Sequence, residues 1–196
     1  MEYHIMELPF GAKDFMYFSK EEAESYFNWF MVEIPNRLNI FKGFFLSFSE
    51  NVDIFDYSVE SLDAIWRWYL KYVIIEDVEP EVYQKKLEKT HEHIRPYIPT
   101  KQLGVGWTQI AVDIGIYFSQ CLLKHCSQLR WGVETEPPDL YIVNRPAVEG
   151  FNGDSFEPIH VMLVMSDRVV DGDSSESALS KLFDTWMSKP KEPLRS

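Results

Sequence analysis

Between Thr100 and Cys126 the chain reads as a helix that is apolar nearly all the way round. Leu103, Trp107, Ile110, Ile114, Tyr117, Cys121 and Leu122 recur at helical spacing, while Val112, Ile116 and Phe118 fill the other side. A helix without a polar face cannot lie on a surface. The spacing therefore predicts a central, buried helix with the remaining elements packed around it. Gly104, Gly106 and Gly115 lower its propensity by roughly 1 kcal/mol each, which predicts a close-packing reason for them.

The composition is that of a chain able to enclose such a helix. Of 196 residues, 45 % are hydrophobic and 15 % aromatic, which excludes a disordered chain. The 9 glycines and 11 prolines follow no period, so collagen-like and low-complexity architectures are excluded too. No run approaches the roughly 18 apolar residues that a bilayer requires. A chain of this length buries roughly 70 % of its unfolded surface, enough for a core without staples. The reading is one globular domain over residues 1–196.

Charge and cysteine usage bear on partners and compartment. There are 31 acidic and 19 basic side chains, a net charge of −12. That balance argues against nucleic acid, which needs clustered Lys and Arg, and against anionic lipid. It allows a basic protein partner while also serving solubility. The first residues lack a basic stretch followed by an apolar one, so the expected location is cytoplasmic. Cys121 and Cys126 suit a reducing compartment. Five residues apart on a helix, they are separated by about 7.5 Å of rise and about 140° of rotation. That is too far for an unstrained disulfide.

Other elements follow from caps and periodicity. Ser19-Lys20-Glu21-Glu22 forms a capping box, with Phe18 placed to staple against Ala23. Ala23, Phe27, Phe30, Ile34, Leu38, Phe41 and Phe45 then hold one face straight through Pro35, predicting a kinked helix or two collinear ones. A second helix opens at Ser58, with the stripe Leu62, Ile65, Trp66, Tyr69 and Val73, widened by Trp68 and Tyr72. Residues 76–95 are highly charged and read as a solvated surface helix starting near Pro80, or as a mobile insertion. Leu129–Val133 and Leu140–Val143 read as strands around the Pro137-Pro138-Asp139 turn, with Asn144–Phe151 continuing extended. Residues 159–170 read as a helix behind Pro158, in competition with their β-branched content. A last helix is expected from Asp173, with Leu179, Leu182, Phe183 and Trp186 as its face. A flexible tail is expected over residues 189–196. The fold class is α+β and mainly α: amphipathic helices around a buried central helix, with a small antiparallel β element near residues 129–151.

Few patterns carry chemistry. Asp113 lies between Val112 and Ile114, where an unpaired carboxylate is costly and a buried one gains a raised pKa. Gln109 and Tyr117, one turn away on either side, are able to hydrogen-bond it. Asp113, Tyr117 and Gln120 are the candidate catalytic residues, in a pocket roofed by Trp107 or Trp131. The competing reading is that Asp113 pairs with an arginine or a backbone group and fixes packing. Cys121 and His125 share a helix face at ligand spacing, but no second pair such as C-x-x-C completes a zinc site. They read as a buried small hydrophobe and a surface imidazole, and no metal is expected. His91 and His93 point about 200° apart on a helix, so they cannot share a metal there. Gly104-Val105-Gly106 lacks the third glycine of a dinucleotide fingerprint. Asp171-Gly172-Asp173 lacks the glycine of a calcium loop and is explained by a turn and a helix cap. No cofactor is expected.

A resemblance is carried by the second half: Asp113–Phe118, Trp131, Asn144–Phe151, Pro158, Leu182 and Trp186. The first half adds Tyr26–Phe30, Ile34-Pro35 and Asp56–Leu62. On these motifs the chain resembles a group of uncharacterised bacterial cytoplasmic proteins, over most of its length outside the charged stretch. Members often carry a glutamate two positions after the Tyr117-Phe118 pair. The residue here is Gln120, so the resemblance brings no two-carboxylate site. It implies a bacterial, cytoplasmic, mainly helical protein and no established activity.

The leading functional expectation is a non-enzymatic protein-binding module, an immunity or antitoxin-like neutraliser being one version. It rests on the missing catalytic signature, the acidity and the many aromatics. The alternative is a small enzyme or ligand-binding protein that uses the buried carboxylate. A protein partner or a homo-oligomer is expected, without nucleic acid or membrane.

Overall fold

Ser19 starts the first helix as its sequence predicts. Its hydroxyl accepts from the Glu22 N–H at 3.2 Å, and Glu22 Oε2 accepts from the Ser19 N–H at 2.7 Å. The resulting helix, α1 (Lys20–Leu46), is continuous, with Pro35 inside it. The computed structural model describes residues 3–9, 14–48, 52–135, 142–189 and 191. Five further helices follow: α2 (Val59–Tyr72), α3 (Pro80–Lys89), α4 (Trp107–His125), α5 (Pro158–Val170) and α6 (Ala178–Ser188). Strands β1 (Ile75–Asp77) and β2 (Lys101–Leu103) pair antiparallel, Ile75 opposite Leu103. Strands β3 (Arg130–Val133), β4 (Pro146–Phe151) and β5 (Asp154–Phe156) form an antiparallel sheet with β4 in the middle. The protein is α+β and mainly α: of the described residues, 59 % are helical and 11 % strand.

The central helix is α4, and every residue from Ile110 to Ser119 is buried. It is shorter than its apolar pattern suggests. Leu103 ends β2 rather than joining the helix, and Gly104 and Gly106 lie in the turn before it. Gly106 adopts φ +85°, a left-handed conformation that side chains resist, so the helix starts after it at Trp107. Gly115 does mark a close approach. A Cβ there would stand 2.7 Å from the Pro158 carbonyl oxygen and 2.8 Å from Met162 Cγ, both on α5.

Around α4 lie the aromatics. Phe41, Phe44 and Phe45 of α1 meet Trp68 of α2 and, through it, Trp107 of α4. Ser58 caps α2 by accepting from the Ser61 N–H at 3.1 Å. At the other end of the fold Asp63 Oδ1 accepts from the Ser180 N–H at 3.0 Å, and the Trp66 indole donates to the Ser175 carbonyl at 3.1 Å. These two bonds fasten α2 to α6 and the turn before it.

The elements differ from the sequence reading in three further places. On α1 Ala23, Phe30, Ile34, Phe41 and Phe45 are buried as their spacing predicts, but Tyr26 and Arg37 are buried where the spacing predicts Phe27 and Leu38, and those two are half-buried. Ile142 and Val143 form a turn instead of a strand, while Pro137 to Tyr141 fall outside the described residues. That turn contains Asn144 at φ +61°, whose amide donates to the Phe15 and Phe18 carbonyls at 2.8 and 3.3 Å. The last helix begins at Ala178 and not Asp173, because Asp173 is drawn back to Arg168 at 2.9 Å. Within the charged stretch, α3 starts at Pro80 with no buried residue, and it lies between the paired strands β1 and β2, which together form an arm. Of the tail, Lys191 pairs with Phe151 in a β-bridge and donates to the last carbonyls of α6, at 3.2 and 3.1 Å.

Candidate functional site

Asp113 sits halfway along α4, fully buried, and its carboxylate is surrounded by donors. Arg37 of α1 grips it with Nε on Oδ1 at 3.0 Å and Nη2 on Oδ2 at 2.6 Å. The Tyr3 hydroxyl donates to Oδ2, and Gln109 Nε2 donates to Oδ1 at 3.3 Å. Arg37 is equally enclosed, at 1 % exposure. Its guanidinium also lies 5.6 Å from the Tyr3 ring centroid and reaches His4 Nδ1 at 3.5 Å. Burial pushes the Asp113 carboxyl up, and Arg37, Tyr3 and Gln109 oppose that push. Burial likewise disfavours the Arg37 charge, but its bonds to Asp113 outweigh this and raise its pKa. Burial and the adjacent carboxylate push the Tyr3 hydroxyl far up, so it stays a donor.

The network closes over the N-terminal segment. Gln109 Oε1 accepts from the Met6 N–H at 3.1 Å while the same side chain donates to Asp113. Tyr3 packs edge-on against Phe44, 4.8 Å between centroids. Residues 3–6 therefore form a strap across the end of α4, pinned by side chains from two helices. The carboxylate that the sequence singled out is a structural anchor with its oxygens occupied.

Tyr117 belongs to a different cluster. Its hydroxyl accepts from the Tyr57 N–H at 2.9 Å and lies 2.7 Å from Ser61 Oγ. Burial pushes this hydroxyl up. The Tyr57 ring stacks on it at 4.9 Å, with the Tyr57 backbone at φ +59°. Non-glycine residues rarely adopt that conformation, so Tyr117 serves to hold a strained entry into α2. Gln120 is half-buried and is not among the partners of Asp113. The three candidate residues share a helix and not a site.

The candidate metal ligands are likewise not brought together. Burial pushes the Cys121 thiol up to about 12, which leaves it protonated and inert. His125 Nδ1 lies 2.8 Å from the Cys121 carbonyl oxygen, and its ring meets Phe183 edge-on. Among the described residues no three His, Cys, Asp or Glu side chains are placed to hold a metal ion.

A cleft of about 730 Å³ lies between the arm and the body. Ile5, Tyr97, Val105, Val112, Leu163 and Val170 supply its apolar walls. Gln109 lines it too, so one side chain connects the cleft to the buried ion pair. Its charges are mixed, with Lys86 and Lys101 on the arm facing Asp167 and Asp171 on α5 and just after it. Burial, and then the neighbouring Asp171, push the Asp167 carboxyl up.

No family model matches the chain, and no curated protein or solved structure matches it. Sequence reasoning missed Arg37, Tyr3 and the arm. Arg37 had a signal: it stands in phase with Ile34 and Phe41, where an apolar residue belongs, and Asp113 needed a cation. Tyr3 had none, because nothing in its neighbours fixes where an extended segment lies.

Proposed function

We propose that the chain is a non-enzymatic protein-binding module, and that the arm from Ile75 to Leu103 with the cleft beside it is its binding surface. The observation that carries this reading is α3. It has ten residues, none of them buried, and a helix this short is marginal in water without tertiary packing. Its apolar residues Val82, Tyr83 and Leu87 have no core to enter. The surface nearby is apolar as well, with Tyr97 and Val105 each 82 % exposed and Ile94 57 % exposed. Exposed large side chains gathered around a cleft mark an interaction site more often than they occur by chance.

The environment of Asp113 favours the same conclusion. A general acid or base must reach a substrate proton, and this carboxylate is enclosed and bonded to three side chains. That counts against a small enzyme built on it. An immunity or antitoxin-like neutraliser, presenting the apolar side chains of the arm to a protein partner, is the concrete version of the reading.

The test is a photo-crosslinking amino acid at position 97 of the full chain, followed by purification of what is captured. The purified partner should bind the wild-type chain and lose that binding in Val82→Asp and Val105→Asp, with thermal stability unchanged. Equal binding by wild type and both variants would refute the assignment.

A further inference from the structure

We propose that a second, smaller cleft, at the junction of α1 and α2 and separate from the arm, binds a planar aromatic carboxylate. Phe45 and Phe48 from the end of α1 and Trp68 and Tyr72 from α2 form its surface, with Arg67 and Lys71 at its edge. It encloses about 290 Å³, close to the lower size of small-molecule sites.

Three observations favour an aromatic anion. The rings already meet in tilted contacts, Phe48 on Tyr72 at 4.9 Å and 51° and Phe45 on Trp68 at 4.9 Å and 44°, and Phe48 is left 40 % exposed. An added flat ring extends this array. Second, the charged residues that line the cleft are both cations, in a chain of net charge −12. Arg67 and Lys71 are four residues apart on α2, where like charges repel, and among the described residues neither makes an ion pair. Lys71 is held 5.0 Å above the Tyr72 ring. A carboxylate between them relieves that repulsion and matches the guanidinium fork of Arg67. Third, the Trp68 ring lines the cleft, and its indole N–H has no acceptor among the described residues. An indole surface of that size favours a flat aromatic body over an aliphatic one.

A single anionic head senses these two cations locally, whereas a nucleic acid strand is repelled by the whole acidic surface. The ligand is therefore a small molecule with one carboxylate and a flat apolar body.

The experiment titrates 2-naphthoate into the ¹⁵N-labelled full chain and follows the Trp68 indole resonance, identified by its loss in Trp68→Phe. A saturable shift of that resonance is expected. Arg67→Gln/Lys71→Gln removes two exposed charges and leaves the four rings in place, and should weaken binding at least about tenfold. The neutral 2-naphthalenemethanol should be weaker by a similar factor. The proposal is overturned by no saturable shift, or by equal binding of the alcohol. It is also overturned if the resonance moves with protein concentration alone, which would place a second copy of the chain in the cleft.

Discussion

Arg37 and Asp113 lie 76 residues apart in sequence and form a two-point ion pair with neither partner reached by solvent. Arg37 stands two residues past Pro35 on α1, and Asp113 occupies the most enclosed stretch of α4. The pair thereby fixes the rotation of α1 against α4, and the strap from Tyr3 to Met6 is fastened to Asp113 directly through the Tyr3 hydroxyl and indirectly through Gln109, which accepts from the Met6 N–H. Two consequences of this arrangement can be measured.

The first concerns the asymmetry of buried pairs. Removing one partner leaves the other charged and dry, which costs about 3–5 kcal/mol, whereas replacing both by apolar residues of similar size is often neutral. Asp113→Leu and Arg37→Met should each lower the urea unfolding free energy by about that amount. The double variant should recover most of the loss. A double variant whose loss equals the sum of the singles would show that the pair acts through two separate sites.

The strap gives the second. Tyr3→Phe keeps the ring against Phe44 and deletes one hydroxyl, leaving an Asp113 oxygen one donor short. The expected cost is about 1–3 kcal/mol. Hydrogen exchange should show it locally, with the Met6 amide exchanging faster while amides in α2 keep their protection relative to global unfolding. Because Ile5 lines the arm cleft, partner binding should weaken as well. A variant with unchanged Met6 exchange would mean the strap is held by other contacts.

Glu157 provides a pH dependence. This side chain caps α5, accepting from the Ile159 and His160 N–H groups at 3.2 and 2.6 Å, and it is 3 % exposed. Burial raises its pKa above the ordinary 4.5, against the pull of those two donors and Arg145. A carboxyl whose folded value is raised binds its proton more tightly in the folded chain. Its contribution is thus present below the unfolded value and is lost as pH rises through the raised one. Relative to Glu157→Gln, which does not titrate, the wild type should be most favoured below pH 4.5 and lose ground towards neutrality. Paired thermal melts across that window measure it, and a constant difference between the two proteins would refute it.

What was legible in the sequence follows the range of the interactions that decide it. The capping box at Ser19, the cap at Ser58 and the proline starts of α3 and α5 are local, and each was readable. The α+β class and the burial of α4 followed from periodicity, a property of one segment. Failures came where a distant partner decides. For Asp113 the partner on its own helix, Gln109, is legible from the one-turn spacing, whereas Arg37 and Tyr3 come from α1 and the N-terminal segment, which no local spacing identifies. Apolar spacing also misplaced the start of α4, because Leu103 fits a helix in sequence and is claimed by β1 across the arm. Arg37 was passed over for Leu38 because hydrophobicity was the only criterion applied to that stripe. A buried acid elsewhere in the chain is reason to look for a cation on an apolar face.

The glycines separate two roles that sequence alone merges, and they supply the last prediction. Gly43 lies inside α1 with nothing within 4 Å of where a Cβ would stand, so it contributes only backbone freedom. Gly43→Ala should stabilise the chain by about 0.5–1 kcal/mol, the usual helix propensity difference. Gly115 is the opposite case. An added methyl meets the Pro158 carbonyl oxygen at 2.7 Å, and that oxygen belongs to the rigid first turn of α5, so it cannot swing aside as a side chain could. Gly115→Ala gains the same propensity but must push α5 outward, for a typical overpacking cost of about 1–3 kcal/mol. The two substitutions should therefore move the urea midpoint in opposite directions. If Gly115→Ala also stabilised, the approach of α4 and α5 would be looser than the packing of Gly115 requires.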